Sequence, residues 1–95
     1  MTQTLSLQTI IAPRHELLAS ELSATELVMM NIDKGFYYGL EEVGKTIWDA
    51  LDQPRSVAEL CDIVLATYDD VDRQTVESDM FAFLGELLEE ELVDV

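Results

Sequence analysis

Residues 26–40 read ELVMMNIDKGFYYGL, and the reading of this stretch decides the fold. Two extended runs flank the polar turn Asp33-Lys34-Gly35, the pattern of an antiparallel hairpin. Gly35 lacks a Cβ and suits the left-handed position that closes a bulged hairpin loop. Side chains alternate along a strand, so Leu27 and Met29 share one face and Val28, Met30 and Ile32 the other. A small antiparallel sheet normally leaves one face to water. Two apolar faces therefore predict that something covers part of this sheet. In the returning run, Phe36, Tyr38 and Leu40 share one face, and Tyr37 and Gly39 the other.

Upstream, Leu17 to Leu22 reads as a further strand, joined to Glu26–Ile32 by the short polar link Ser23-Ala24-Thr25. Leu7 to Ala12 fits a short strand or an extended arm ended by Pro13. Residues 1–16 are thus expected to be a flexible N-terminal arm or short strand, with Met1 to Ser6 a loose terminus, and residues 17–95 the domain proper. Downstream the apolar period changes from two to about 3.6. Val43, Ile47 and Leu51 stack on one side of a first helix with Trp48 beside them, and Gln53-Pro54 ends it. Ser56 with Glu59 forms a capping box that opens a second helix, running to about Tyr68 and burying Val57, Leu60, Cys61, Val64 and Leu65. Asp72 caps a third, whose apolar stripe is Val76, Met80, Phe83, Leu84, Leu87 and Leu88, with Phe81 partly off that face. The predicted class is α+β: a three-stranded antiparallel sheet followed by three helices, with no internal repeat.

The chain has 95 residues, enough for one domain. At 48% hydrophobic it has the apolar content for a core, but a domain of this size keeps only about 5–10 kcal/mol of net stability. Five Lys plus Arg against twenty Asp plus Glu give a formal charge of -15. Nucleic-acid affinity comes largely from basic groups that release counterions, so nucleic acid is excluded as a partner, and an anionic membrane surface is disfavoured for the same reason. A basic peptide or a basic face on a protein would be drawn in faster. Plain solubility accounts for the charge equally well. Met1 to Gln8 lacks the basic start and apolar run of a secretory signal. No apolar stretch approaches the roughly 20 residues of a membrane span. A soluble cytoplasmic protein is the expectation.

Chemistry-bearing groups are sparse. The single cysteine, Cys61, excludes an internal disulfide and a thiolate cluster, and its neighbours mark it as a small buried hydrophobe. His15 is the only histidine, in a loop or strand lead-in where an ordinary surface role fits best. No sequence context marks an activated serine for it. Asp69-Asp70-Val71-Asp72 lacks the spaced oxygens of a calcium loop. The four glycines are isolated and form no phosphate loop. Glu89-Glu90-Glu91 at the end of the third helix reads as a solvated face or a partner contact. No cofactor, metal or catalytic residue is expected, and the chain reads as a binding module.

The informative element is Phe36 to Leu40. It fits a core strand, and it also fits an exposed sheet edge that accepts a peptide as an added strand. No proline or charge interrupts residues 36 to 40, and an edge without such blocks pairs readily with another chain. The third helix would supply a second wall, with Met80 and Phe81 fitting either that wall or the core.

The chain resembles the PqqD family, domains that recognise leader peptides of ribosomally made, post-translationally modified peptides. The resemblance runs from Leu17 to Val95 and rests on VMMNIDKGFYYGL, the spacing to Gly44 and Ile47-Trp48, RSVAEL, and DMFAFL before ELLEEELV. YYGL followed by Gly and Ile-Trp is more like the stand-alone members of lasso-peptide pathways. The resemblance implies a winged-helix-like fold in which the leader adds beside the third strand, in the cleft to the third helix. It implies a peptide-binding groove walled by Phe36, Tyr37 and Tyr38 on one side, with Asp79, Met80 and Phe83 on the other. Asp79 would engage a basic leader residue or anchor the helix locally. As partners it implies the precursor leader and a separate leader peptidase, with a cyclase acting afterwards. Two positions depart from the family pattern. Glu41 stands where Asn is frequent before the first helix, and it caps poorly, so a shifted helix start is expected. Glu91 replaces a usual Gly, and a left-handed stop is costlier there, so the third helix is expected to run on or fray.

Two other readings stand beside this one: a PqqD-like chaperone for another modified peptide or quinone cofactor precursor, and a small structural or dimerisation module. A DNA-binding winged helix is excluded by the third helix, where Arg73 stands alone against Glu77, Asp79, Glu86, Glu89, Glu90 and Glu91. Replacing Tyr37 or Phe83 is expected to weaken peptide binding more than replacing His15.

Overall fold

The structure, a computed structural model, describes residues 5–14, 17–32 and 34–95. The readings of His15, of Asp33 in the turn and of the terminus before Leu5 fall outside the described residues. Six strands and three helices follow in the order β1 (Ile10–Pro13), β2 (Leu17–Ser23), β3 (Glu26–Asn31), β4 (Phe36–Glu41), α1 (Val43–Ala50), β5 (Arg55–Ser56), α2 (Val57–Thr67), α3 (Arg73–Glu89) and β6 (Val93–Asp94). The main sheet is antiparallel in the order β2-β3-β4, and a smaller one has the order β5-β1-β6. The α+β class, the hairpins and all three helices agree with the sequence reading.

The hairpin closes as its residues require. Gly35 has φ 71° and donates its N–H to the Asn31 carbonyl at 2.8 Å, while the Asn31 Oδ1 accepts from the Lys34 N–H at 3.1 Å. Register pairs Asn31 with Phe36, Met29 with Tyr38 and Leu27 with Leu40. Leu27, Met29 and Leu40 point inward and are buried. The opposite face carries Leu18, Met30 and Tyr37 in one cross-strand row. This second face is partly buried at Val28 and Met30 and open at Leu18 and Tyr37, which are 56% and 72% exposed. The helices all pack on the inner face, because the chain returns from β4 directly into α1 on that side.

The core joins the sheet to the helices through Ile47 and Leu51 of α1, Leu60, Cys61 and Val64 of α2, and Val76, Met80, Leu84 and Leu87 of α3. Leu65 and Leu88 are half-buried at its margin. Ile11 of β1 is fully buried. The segment leading into β1 also serves α2: Thr9 and Leu7 carbonyls accept from the Val57 and Ala58 N–H groups at 3.0 and 2.9 Å. The Ser56 hydroxyl takes the Glu59 N–H at 3.1 Å, and the Glu59 carboxylate takes the Ser56 N–H at 3.0 Å. The first turn of α2, whose donors have no partner within the helix, is thereby satisfied largely from the N-terminal segment.

Two helix ends bear on the departures from the family pattern: the first helix starts one residue later, and the third does not end as expected. Glu41 is the last residue of β4, and the α1 cap is Glu42, with φ 49°, ψ −112° and no side-chain cap. That backbone conformation is sparsely populated by side-chain-bearing residues and costs about 1–3 kcal/mol. α3 neither runs on nor frays. Glu91 adopts φ 58°, its N–H bonds the Leu88 carbonyl at 3.1 Å, and the Leu92 N–H bonds the Leu87 carbonyl at 2.9 Å. These two bonds make a Schellman stop, and the burial of Leu87 and Leu92 beneath it explains why the left-handed turn forms without glycine. Lys34 forms an ion pair with Glu91 and holds its carboxyl below the ordinary range.

One buried charge has no counterpart in the hydrophobic pattern. Lys45 of α1 is almost fully enclosed, its Nζ 2.6 Å from Glu21 on β2 and 2.8 Å from Asp49 one turn on. The two carboxylates keep it protonated and tie α1 to the far edge of the sheet.

Candidate functional site

Among the described residues β4 pairs only with β3, so its other edge is left open by them. The phase of the ladder fixes which groups lie there. The Glu42 N–H reaches the Thr25 carbonyl at 2.8 Å, directly beyond the Glu26–Glu41 pair. Hydrogen-bonded and non-bonded pairs alternate in an antiparallel ladder. Leu40, Tyr38 and Phe36 therefore spend their backbone groups on β3. Tyr37, Gly39 and Glu41 turn theirs to the free edge, leaving three N–H and three C=O groups available to another strand. A Cβ built on Gly39 meets nothing within 4 Å, so the outer face is open at the middle of this strand.

Beside the edge runs a groove of about 710 Å³ between β4 and the first half of α3, with Ile47 and Val64 in its floor. The α3 wall is one stripe at helical spacing: Asp72, Thr75, Val76, Asp79, Met80 and Phe83. Asp72 also caps α3, accepting from the Thr75 N–H at 3.1 Å. Gly44 places α1 against the Phe83 ring, where a Cβ would make an ordinary contact at 3.5 Å. Tyr38 links the two walls by donating its hydroxyl to Glu86 at 2.5 Å. Burial and the neighbouring Glu86 carboxylate push that phenol well above the ordinary tyrosine range, so it stays a donor.

Of the six residues named from sequence, Tyr38, Asp79, Met80 and Phe83 line the groove. Met80 is buried at 2% exposure and forms part of the floor, whereas Asp79 is exposed. Phe36 and Tyr37 are not among the lining residues. The grouping of Phe36, Tyr37 and Tyr38 on one wall is corrected by strand alternation: Tyr37 projects to the outer face. Phe81, weighed for the wall, packs against the core instead. Sequence reasoning missed Val43, Gly44, Val71, Thr75 and Val76. The last two were legible from Asp79 and Phe83, because they sit three and four residues before Asp79 on the same helix face.

Elsewhere, burial raises the Cys61 thiol above its ordinary range, so it stays protonated in the core. Among the described residues no cluster of three or more His, Cys, Asp or Glu is placed to hold a metal ion. No helix among them is long and apolar enough to cross a membrane.

An antiparallel three-stranded sheet with three helices on one face and a lateral groove makes this a winged-helix-like α+β domain. The chain belongs to the PqqD family: the profile described as Coenzyme PQQ synthesis protein D matches residues 26–93. Among solved structures it is similar to TbiB1, determined in complex with the TbiA(beta) leader peptide. The TM-score is 0.80 at 32% identity, over 87% of this chain and 94% of that one. Comparison with curated protein sequences yields no significant match.

Proposed function

We propose that this protein binds the leader region of a ribosomally made precursor peptide as an added strand on β4, and presents it to a leader peptidase and a later-acting cyclase in lasso-peptide biosynthesis. The observation that carries the reading is the open β4 edge beside an apolar groove. It occurs in a chain 32% identical to a protein solved with a leader peptide. Strand addition draws affinity from main-chain hydrogen bonds and selectivity from side-chain pockets. Tyr37, Gly39 and Glu41 supply the first, and Val76, Met80 and Phe83 with Asp79 the second. An added strand places alternate side chains on the two faces, so Tyr37 would flank the peptide on the outer face while Tyr38 meets it in the groove. Phe36, at the start of the strand, would border the end of the peptide.

In this reading the domain is a binding module and not an enzyme, acting where precursor and processing enzymes meet in the cytoplasm. Fluorescence polarisation with the synthetic leader of the precursor encoded beside its gene tests the core of the proposal. Saturable binding without chemical change to the peptide is expected. No detectable binding by a demonstrably folded domain would sink it. A neighbouring peptidase gene and an asparagine-synthetase-like cyclase gene would select the lasso pathway.

A further inference from the structure

We infer that the groove is selective for a cationic peptide segment, one whose lysine or arginine side chains lie at the Glu41–Asp70–Asp72 end and whose apolar side chains cover Val76 and Phe83. The inference rests on the peptide-groove reading above and names the chemistry of its ligand. Among the described residues the groove is lined by four acidic residues, Asp70, Asp72 and Asp79 leading into and along α3 and Glu41 at the end of β4, and by no lysine or arginine. Glu41, Asp70 and Asp79 are solvent-exposed, so a peptide can reach them.

The decisive point is where the chain's own cations are. It has five Lys plus Arg, and every one is engaged elsewhere. Arg14 pairs with Asp94, Lys34 with Glu91, Lys45 with Glu21 and Asp49, Arg55 with Asp52 and Glu59, and Arg73 with Asp62 and Glu77. Arg73 is the instructive case. It begins the groove helix next to Asp72, yet its guanidinium turns to Asp62 on α2 at 2.6 Å and to Glu77 at 2.8 Å. Among the described residues the negative field of the groove is therefore left uncompensated. A cleft lined by one sign of charge with apolar walls focuses that field onto whatever enters it.

The polarity of the groove adds a direction. Tyr38 meets Glu86 near one end, so that carboxylate is occupied by a hydrogen bond. The other end, where β4 passes into α1 and the 68–72 loop enters α3, holds Glu41, Asp70 and Asp72. Cationic side chains are thus favoured at one terminus of the bound segment rather than along its length.

The test uses the full chain and three fluorescein-labelled synthetic peptides. Each has an alternating Thr/Val/Leu segment, extended at either terminus by a run of Lys, Gln or Glu. In about 0.02 M salt the Lys peptide should bind on the order of tenfold more tightly than the Gln peptide, with the Glu peptide weaker still. The gap should collapse in about 0.5 M salt. The double variant Asp70→Asn/Asp79→Asn keeps the α3 cap at Asp72 and should narrow the ratio of Lys-peptide to Gln-peptide affinity to near one. Equal affinity for all three peptides overturns the selectivity and leaves the groove reading standing. A Lys preference unchanged in Asp70→Asn/Asp79→Asn overturns its assignment to this groove. Absence of binding by every peptide to the folded domain overturns the groove reading and the inference together.

Discussion

The N–H of Gly39 faces the free edge of β4, so replacing Gly39 with proline deletes a donor that the β3–β4 ladder does not use. Proline is tolerated on an edge strand when its missing N–H would have faced solvent. Nothing lies within 4 Å of a Cβ at this position, so the outer-face side of the ring has room. Gly39→Pro should therefore fold, with circular dichroism and thermal midpoint close to the parent. Its effect should appear in binding. An added strand would present a carbonyl to Gly39 N–H, and that carbonyl would be left desolvated and unpaired, at about 1–3 kcal/mol. Since 1.4 kcal/mol is tenfold, this weakens the complex by roughly 5- to 150-fold. Gly39→Ala keeps the N–H and fills the same empty space, so it should bind like the parent. Fluorescence polarisation with a leader peptide reads both variants on one scale. A folded Gly39→Pro that binds as tightly as the parent would refute strand addition at β4.

Phe83→Ala, which opens the groove wall, should weaken leader binding more than Tyr37→Ala, since only Phe83 lines the groove; the reverse order in the same titration would move the site to the outer sheet face. Ile11→Ala should destabilise the domain by about 2–5 kcal/mol, the usual range for emptying a fully buried aliphatic site, and a chemical denaturation curve close to the parent's would show that β1 is not integral to the core. In a Lys34→Gln background, where the Glu91 ion pair is already absent, Glu91→Gly should raise the thermal midpoint by a few degrees, because glycine adopts the φ 58° of the Schellman stop without Cβ strain. The Lys34–Glu91 pair gives a pH signature. Glu91 titrates below its ordinary 4.5 when folded, so the unfolded chain binds the proton first. The stability from this pair is complete above that ordinary value and is lost as pH falls through the depressed one. The midpoint difference between the parent and Lys34→Gln should thus be constant near neutrality and vanish in acid, and a difference that grew in acid would contradict the pairing.

The sequence by itself determined the local structure. Period-two runs around Gly35 defined the hairpin, the Ser56/Glu59 box and Asp72 set two helix starts, and the spacing Val76-Met80-Leu84-Leu87 marked the buried face of α3. These features were legible because their causes lie within a few residues of one another. The negative charge was legible too, as a simple count. Its distribution was not: only the tertiary structure commits all five cations to other carboxylates and leaves Glu41, Asp70, Asp72 and Asp79 unanswered around one groove. The Schellman stop at Glu91 depends likewise on the apolar packing of Leu92 beneath it, which outweighs a local preference for glycine. Tyr37 and Tyr38 are adjacent in sequence with the same chemistry. One lies on the outer face and the other bonds Glu86 across the groove, because strand alternation becomes a difference in environment only after the helices have packed on one side of the sheet.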